Sequence, residues 1–176
     1  MRAAVLQSAF SLLMEKGLEE FSIAEVAARA GVHETSIYRR WRNRNALALE
    51  ASLDFSPSAL PVPDTGSLRS DLITLMKNYV ALMSSPEGQA LSAMSLSQHP
   101  HVVAAREKLW QSRFESLRSM FERAVARGEI PRNVDSTTFL EMLMAPVHLR
   151  RFITGEPLEA LPYEEMIDRL LAAYVG

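Results

Sequence analysis

The sequence predicts an all-α protein of about nine helices. Three observations carry that reading. Apolar residues recur at spacings of three and four along nearly the whole chain, no period-two run is flanked by hairpin turn signals, and Ser, Asn and Pro starts alternate with Gly stops. Composition agrees. With 176 residues, 48% hydrophobic and 23% charged, and only 7 Gly and 9 Pro, the chain is neither disordered nor collagen-like and can bury a sizeable core.

The first helix spans 2–16, with Ala3, Leu6, Phe10 and Leu13 on one face and Gly17 as a left-handed stop. Ser22 followed by Glu25 is a capping box, and Phe21 and Val26 occupy the two hydrophobic-staple positions around it, so the second helix starts at Ser22 and ends at Gly31. A third, short helix begins near His33 with Ile37 and Trp41 on one face. Asn43 caps a fourth, which carries Ala46, Leu47, Leu49 and Leu53 to about Phe55. Three prolines and a glycine make 55–67 a linker. Five more helices follow: Leu68–Met83, one capped at Ser85 and running to Gln98, Pro100–Gly128 of about 40 Å, Asp135–Thr154 kinked at Pro146, and Pro162–Val175. The division expected is 1–50 and 51–176.

Zero cysteines exclude a disulfide scaffold, a thiolate zinc site, an iron–sulfur cluster and a cysteine nucleophile. No apolar run approaches the ~18 residues of a bilayer span, and the first ten residues lack signal-peptide features, so no membrane role and a cytoplasmic location are expected. No phosphate-binding or nucleophile-elbow motif occurs, and adjacent acids such as Glu164 and Glu165 diverge around a helix, so neither an enzyme nor a bound cofactor is expected. His99 and His101 lie two apart, off a shared helix face, and no metal is expected.

Charge is more informative than its total of −2. Residues 1–45 hold seven Lys or Arg against five Asp or Glu, and five arginines with a single acid, Glu34, fall within Arg29–Arg44. Between Ser22 and Trp41 the side-chain sizes suit two helices crossing steeply: Ala27 small at the crossing, Gly31 at the turn, Ile37 plugging the angle with Val26 and Ala30. Such a helix-turn-helix presents His33, Glu34, Thr35, Ser36, Tyr38 and Arg39 outward, with Arg40, Arg42 and Arg44 just beyond. These are groups that bind bases and phosphates.

The run from Phe21 to Leu47, with the A-x-x-L-x-x-x-F-x-x-L pattern before it and E-K-G-L at Glu15–Leu18, resembles the DNA-binding domain of the TetR/AcrR family of bacterial regulators. S-P-E-G at Ser85, V-A-R-G-E-I at Val125 and T-G-E-P-L at Thr154 resemble landmarks of a C-terminal regulatory subgroup of that family. The resemblance implies that Ser22 touches phosphate, that His33 to Ser36 face bases, that Tyr38 meets backbone or a base edge, and that Arg44 takes the place of a phosphate-binding lysine. His33 and Glu34 depart from common family residues, so no base preference carries over; Trp41 in place of phenylalanine is a packing change. No basic arm precedes the first helix, and minor-groove contacts are not expected.

Met76, Met83, Met94 and Met120, with Trp110, Phe114, Phe121 and Phe139, fall on the fifth to eighth helices and are candidates to line an adaptable apolar pocket for an unidentified small effector. His148, isolated on an apolar helix, is the candidate polar group in it. For a homodimer on a palindromic double-stranded operator, the expected interface joins Leu143, Val147 and Phe152 to Tyr163, Met166, Ile167, Leu170, Leu171 and Tyr174 in a four-helix bundle. The function expected is a repressor released by an apolar or amphipathic ligand, with the fourth helix carrying the signal. The alternatives are a DNA-binding protein without a small ligand, controlled by a protein partner or constitutive, and a helical enzyme or structural bundle with a fortuitous helix-turn-helix.

Overall fold

The computed structural model describes residues 1–18, 20–59, 61–85, 88, 92 and 100–175. Among these the ordered elements are helical and no strand occurs. They are α1 (Arg2–Lys16), α2 (Ile23–Ala30), α3 (Glu34–Arg40), α4 (Arg44–Ala59), α5 (Leu68–Ser84), α6 (Pro100–Ala126), α7 (Ser136–Leu149) and α8 (Tyr163–Val175), with a wide turn at Arg150–Thr154 and a short 3₁₀ turn at Leu158–Ala160. The helix expected at 85–98 lies almost wholly outside the described residues. Its start is visible: Gly88 N–H donates to the Ser85 hydroxyl at 3.2 Å, as a cap requires.

The chain divides into two units, 1–59 with 85–109, and 60–84 with 110–176. The chain passes between them three times.

The first unit is built on α1, which packs against α2 and α4. Its buried stripe is Val5, Leu6, Ala9, Leu12 and Leu13; Ala3 is exposed and Phe10 half-buried. Gly17 stops α1 with positive φ, at φ 73° and ψ 178°. That is not the expected left-handed helical cap but an extended conformation that only glycine enters easily. The fourth helix also overruns its expected end, continuing through Ser56 and Pro57 to Ala59. A proline in the last turn forfeits one backbone bond without breaking the turns before it.

The second unit packs α8 against α5 and α7. Its core joins Leu72, Leu75, Met76 and Met83 of α5 to Leu117, Met120 and Phe121 of α6, Phe139, Leu140 and Leu143 of α7, and Ile167 of α8. Arg69 on α5 grips Asp168 on α8 with two hydrogen bonds of 2.7 and 3.0 Å. Asp135 caps α7, accepting from the Thr137 and Thr138 amides and the Thr138 hydroxyl, and these bonds hold its carboxyl below the usual range. The helix runs on through Pro146 and widens only at Arg150–Thr154, where Gly155 N–H reaches back to the Arg150 carbonyl.

Candidate nucleic-acid interface

The helix-turn-helix follows from side-chain size and two caps. Ser22 accepts from Glu25 N–H at 3.2 Å, fixing the first turn of α2, and Phe21 and Val26 are both buried beside it. Only half of the capping box forms. The Glu25 carboxylate turns outward to Lys16 (2.8 Å) and Arg29 (3.0 Å), and these bonds, Lys16 first, hold it below the usual carboxylate range. At the other end Gly31 takes φ 65° and ψ 36°, so that its own N–H and that of Val32 bond the carbonyls of Ala28 and Ala27. The chain then enters α3 with Ile37 fully buried against Val26 and Ala27.

With its inner face committed, α3 has a polar outer one. His33, Glu34, Thr35, Tyr38, Arg39 and Arg40 are exposed, as are Arg42 and Arg44 just beyond, while Ser36 and Ser22 are half-buried. Tyr38 keeps 50% of its surface in solvent at the centre of this face, although a large ring gains most by burial. Arg39 and Arg42 make no hydrogen bond or ion pair among the described residues. Arg40 stacks over the Trp41 ring at 5.4 Å. Arg44 donates to the Phe21 carbonyl at 3.4 Å, which places its guanidinium beside the start of α2. Arg29 is a different case. Glu15 and Glu25 neutralise it, so one of the five arginines in this stretch joins α1 to α2 and is not part of the face.

Residues 5–51 match the family profile described as bacterial regulatory proteins, tetR family, and 62–170 match that of the tetracyclin repressor-like C-terminal domain. The chain belongs to the TetR family. It is 31% identical over 181 residues to the DNA-binding transcriptional repressor TetR of Mycobacteroides abscessus, covering 98% of this chain and 93% of that one. With the HTH-type transcriptional regulator YdeS of Bacillus subtilis it shares 30% identity over 87% of this chain and 79% of the other. The crystal structure of the TetR family regulator SCO0332 superposes with a TM-score of 0.87 at 26% identity, over 99% of this chain and 98% of that one.

In this TetR-family chain the residues expected to line a pocket separate into two groups. Met76, Met83, Met120, Phe121 and Phe139 lie in the packed core, with Phe121 and Phe139 meeting edge to face at 5.3 Å. Met94 lies outside the described residues. Trp110, Phe114 and His148 are half-buried, and His148 is enclosed by rings: stacked on Phe152 at 6.0 Å, with Trp110 and Tyr79 edge-on at 6.0 and 5.9 Å. Its Nε2 is 2.8 Å from the Tyr79 hydroxyl. Burial pushes the His148 pKa down and a bond to the Met144 backbone partly opposes this, so the ring is neutral at physiological pH. A separate open cavity of about 430 Å³ lies between α6 and the start of α7; Phe114 is the one pocket candidate that lines it.

The residues expected at the dimer surface divide by burial. Leu143, Val147 and Ile167 are completely buried within the protomer, because they supply the contact of α7 and α8 with their own core. Phe152, Tyr163, Met166, Leu170, Leu171 and Tyr174 are half-buried. The apolar side chains that α7 and the turn after it leave in solvent are Met142 (52%), Leu149 (48%) and Ile153 (77%).

Sequence reasoning missed Tyr79, the one aromatic hydroxyl on the apolar stripe of α5. It also missed Asp71, which is fully buried and accepts from the Thr65 amide and hydroxyl at 2.6 Å, with Arg123 at 3.6 Å. A lone acid between apolar positions of α5 was the available signal for the second.

Proposed function

We propose that this TetR-family protein is a dimeric repressor that holds a palindromic operator through α3 and leaves it when a small apolar or amphipathic molecule occupies its second unit. The outer face of α3 carries the reading: exposed His33, Glu34, Thr35, Tyr38 and Arg39, followed by Arg40, Arg42 and Arg44, on a helix of the size a major groove admits. The Mycobacteroides abscessus relative is named as a repressor. The dimer is formed by two copies of the face bearing Met142, Leu149 and Ile153, side chains too apolar and too exposed to suit an isolated surface. The polar anchor of the effector is the His148–Tyr79 pair, which offers one hydrogen-bonding point inside an otherwise aromatic surround.

Two recognition helices on one face of a duplex must stand about 34–36 Å apart, so an effector that changes their separation lowers affinity. The test is a thermal-shift screen of apolar and amphipathic compounds followed by operator titration with each stabiliser. At least one stabiliser is expected to weaken operator binding by roughly 5- to 150-fold, and operator to weaken its binding equally. Stabilisers that all leave operator affinity unchanged would overturn the ligand-released reading.

A further inference from the structure

We propose that Glu34 selects a cytosine in each half of the operator. The inference rests on the DNA-binding reading above and adds a base to it. Glu34 opens α3, is exposed, and makes no hydrogen bond or ion pair among the described residues. In the same unit Glu15 is held by Arg29, Glu25 by Lys16 and Arg29, and Glu50 and Asp54 by Arg2. Within α3 itself no cation stands at a compensating spacing from Glu34. The positions three and four after Glu34, where a cation on the same helix would meet it, are the buried Ile37 and the exposed, uncharged Tyr38; Arg39 and Arg40 fall five and six along. An uncompensated carboxylate therefore stands on the outer face beside Thr35 and one turn from Tyr38.

Every phosphate of a duplex repels that charge, so its place on the face implies a donor to meet it. An ionised carboxylate only accepts hydrogen bonds. The major groove offers two amino donors, adenine N6 and cytosine N4. Adenine sets its N7 acceptor beside the donor, where it opposes a carboxylate, whereas cytosine presents N4 with no acceptor next to it on the same base. Residues at the start of the second helix of a helix-turn-helix contact base edges, and Glu34 stands there. Complementing the helix dipole, the other use of an acid in a first turn, involves no base and predicts no preference.

The experiment is selection from a randomised duplex library with the wild type, Glu34→Gln and Glu34→Ala, followed by anisotropy on single-site duplexes. The wild type is expected to enrich a palindrome with a C·G pair at one symmetry-related position, and changing that pair to T·A to weaken binding on the order of tenfold. Glu34→Ala should lose this preference and keep the rest of the site. Glu34→Gln should move it to adenine, whose N6 and N7 suit an amide. Identical base preferences in all three proteins, with or without a uniform gain in affinity on removing the charge, would overturn the assignment while leaving DNA binding intact. A wild type that enriches no site would overturn both.

Discussion

The Trp41 indole N–H donates to Glu50 Oε2 at 2.5 Å, joining the end of the recognition helix to the middle of α4. Glu50 is held from its other side by Arg2, which also pairs with Asp54, so one carboxylate connects α1, α4 and the residue that caps α3. Trp41 is buried, and its ring fills space below the helix-turn-helix while its one polar atom finds a charged partner.

Trp41→Phe keeps most of the ring and removes the donor. A hydrogen bond to a charged group contributes about 1.5–3 kcal/mol, and Glu50 retains Arg2, so the expected loss is at the lower end, read by urea denaturation. A variant as stable as the wild type would show that the bond only accompanies the packing.

Two glycine substitutions should differ although neither meets an atom within 4 Å of the added Cβ. Gly31 sits in the left-handed helical region, where alanine costs about 1–2 kcal/mol. Gly17, with ψ near 180°, sits where other residues are almost never found, and Gly17→Ala should cost more, up to about 3 kcal/mol. Thermal melts of the two variants compare them, and the reverse order would contradict the backbone account.

Acid should weaken the protein through His148 before its carboxylates respond. The folded ring has a pKa below the ordinary 6.5, so as pH falls through that value the unfolded chain takes up a proton that the folded one does not. Stability from this group is whole above about 6.5 and falls as pH drops, until the folded ring protonates as well. Burial raises the Tyr79 pKa, so its hydroxyl remains protonated throughout. His148→Gln should flatten the slope of unfolding free energy as pH falls below about 6.5; an unchanged slope would place the titration elsewhere.

Subunit association separates buried from exposed apolar positions. Leu149→Glu with Ile153→Glu should give folded monomers by sedimentation, because both side chains are exposed in the protomer. Ile167→Glu should instead unfold the chain, since it places a charge in a fully buried site. A folded monomer from Ile167→Glu would restore that residue to the interface.

The contrast between Ile167 and Ile153 also marks how far the sequence was legible. Caps, staples and turn glycines act within a few residues, so Ser22, Gly31 and Asn43 announced their helices correctly. The sizes of Ala27, Gly31 and Ile37 likewise announced the helix-turn-helix. Which face of α7 or α8 meets its own core and which remains outside depends on helices distant in the chain, and periodicity is the same for both. Partner choice was equally hidden: Arg29 looks like Arg39 in sequence, yet Glu15 and Glu25 claim it. The Trp41–Glu50 and Tyr79–His148 pairs span 9 and 69 residues and carry no local signature.

A salt titration decides whether the outer face of α3 holds duplex DNA. A labelled duplex selected by the wild type from a randomised library is titrated by anisotropy, from about 50 to 200 mM salt, with the wild type, Arg39→Ala and Arg42→Ala. The account predicts a linear fall of log affinity with log salt, and a slope shallower by about 1 in each variant whose arginine no longer meets a phosphate. Absence of binding at the lowest salt, or an affinity indifferent to both salt and the two arginines, would contradict it.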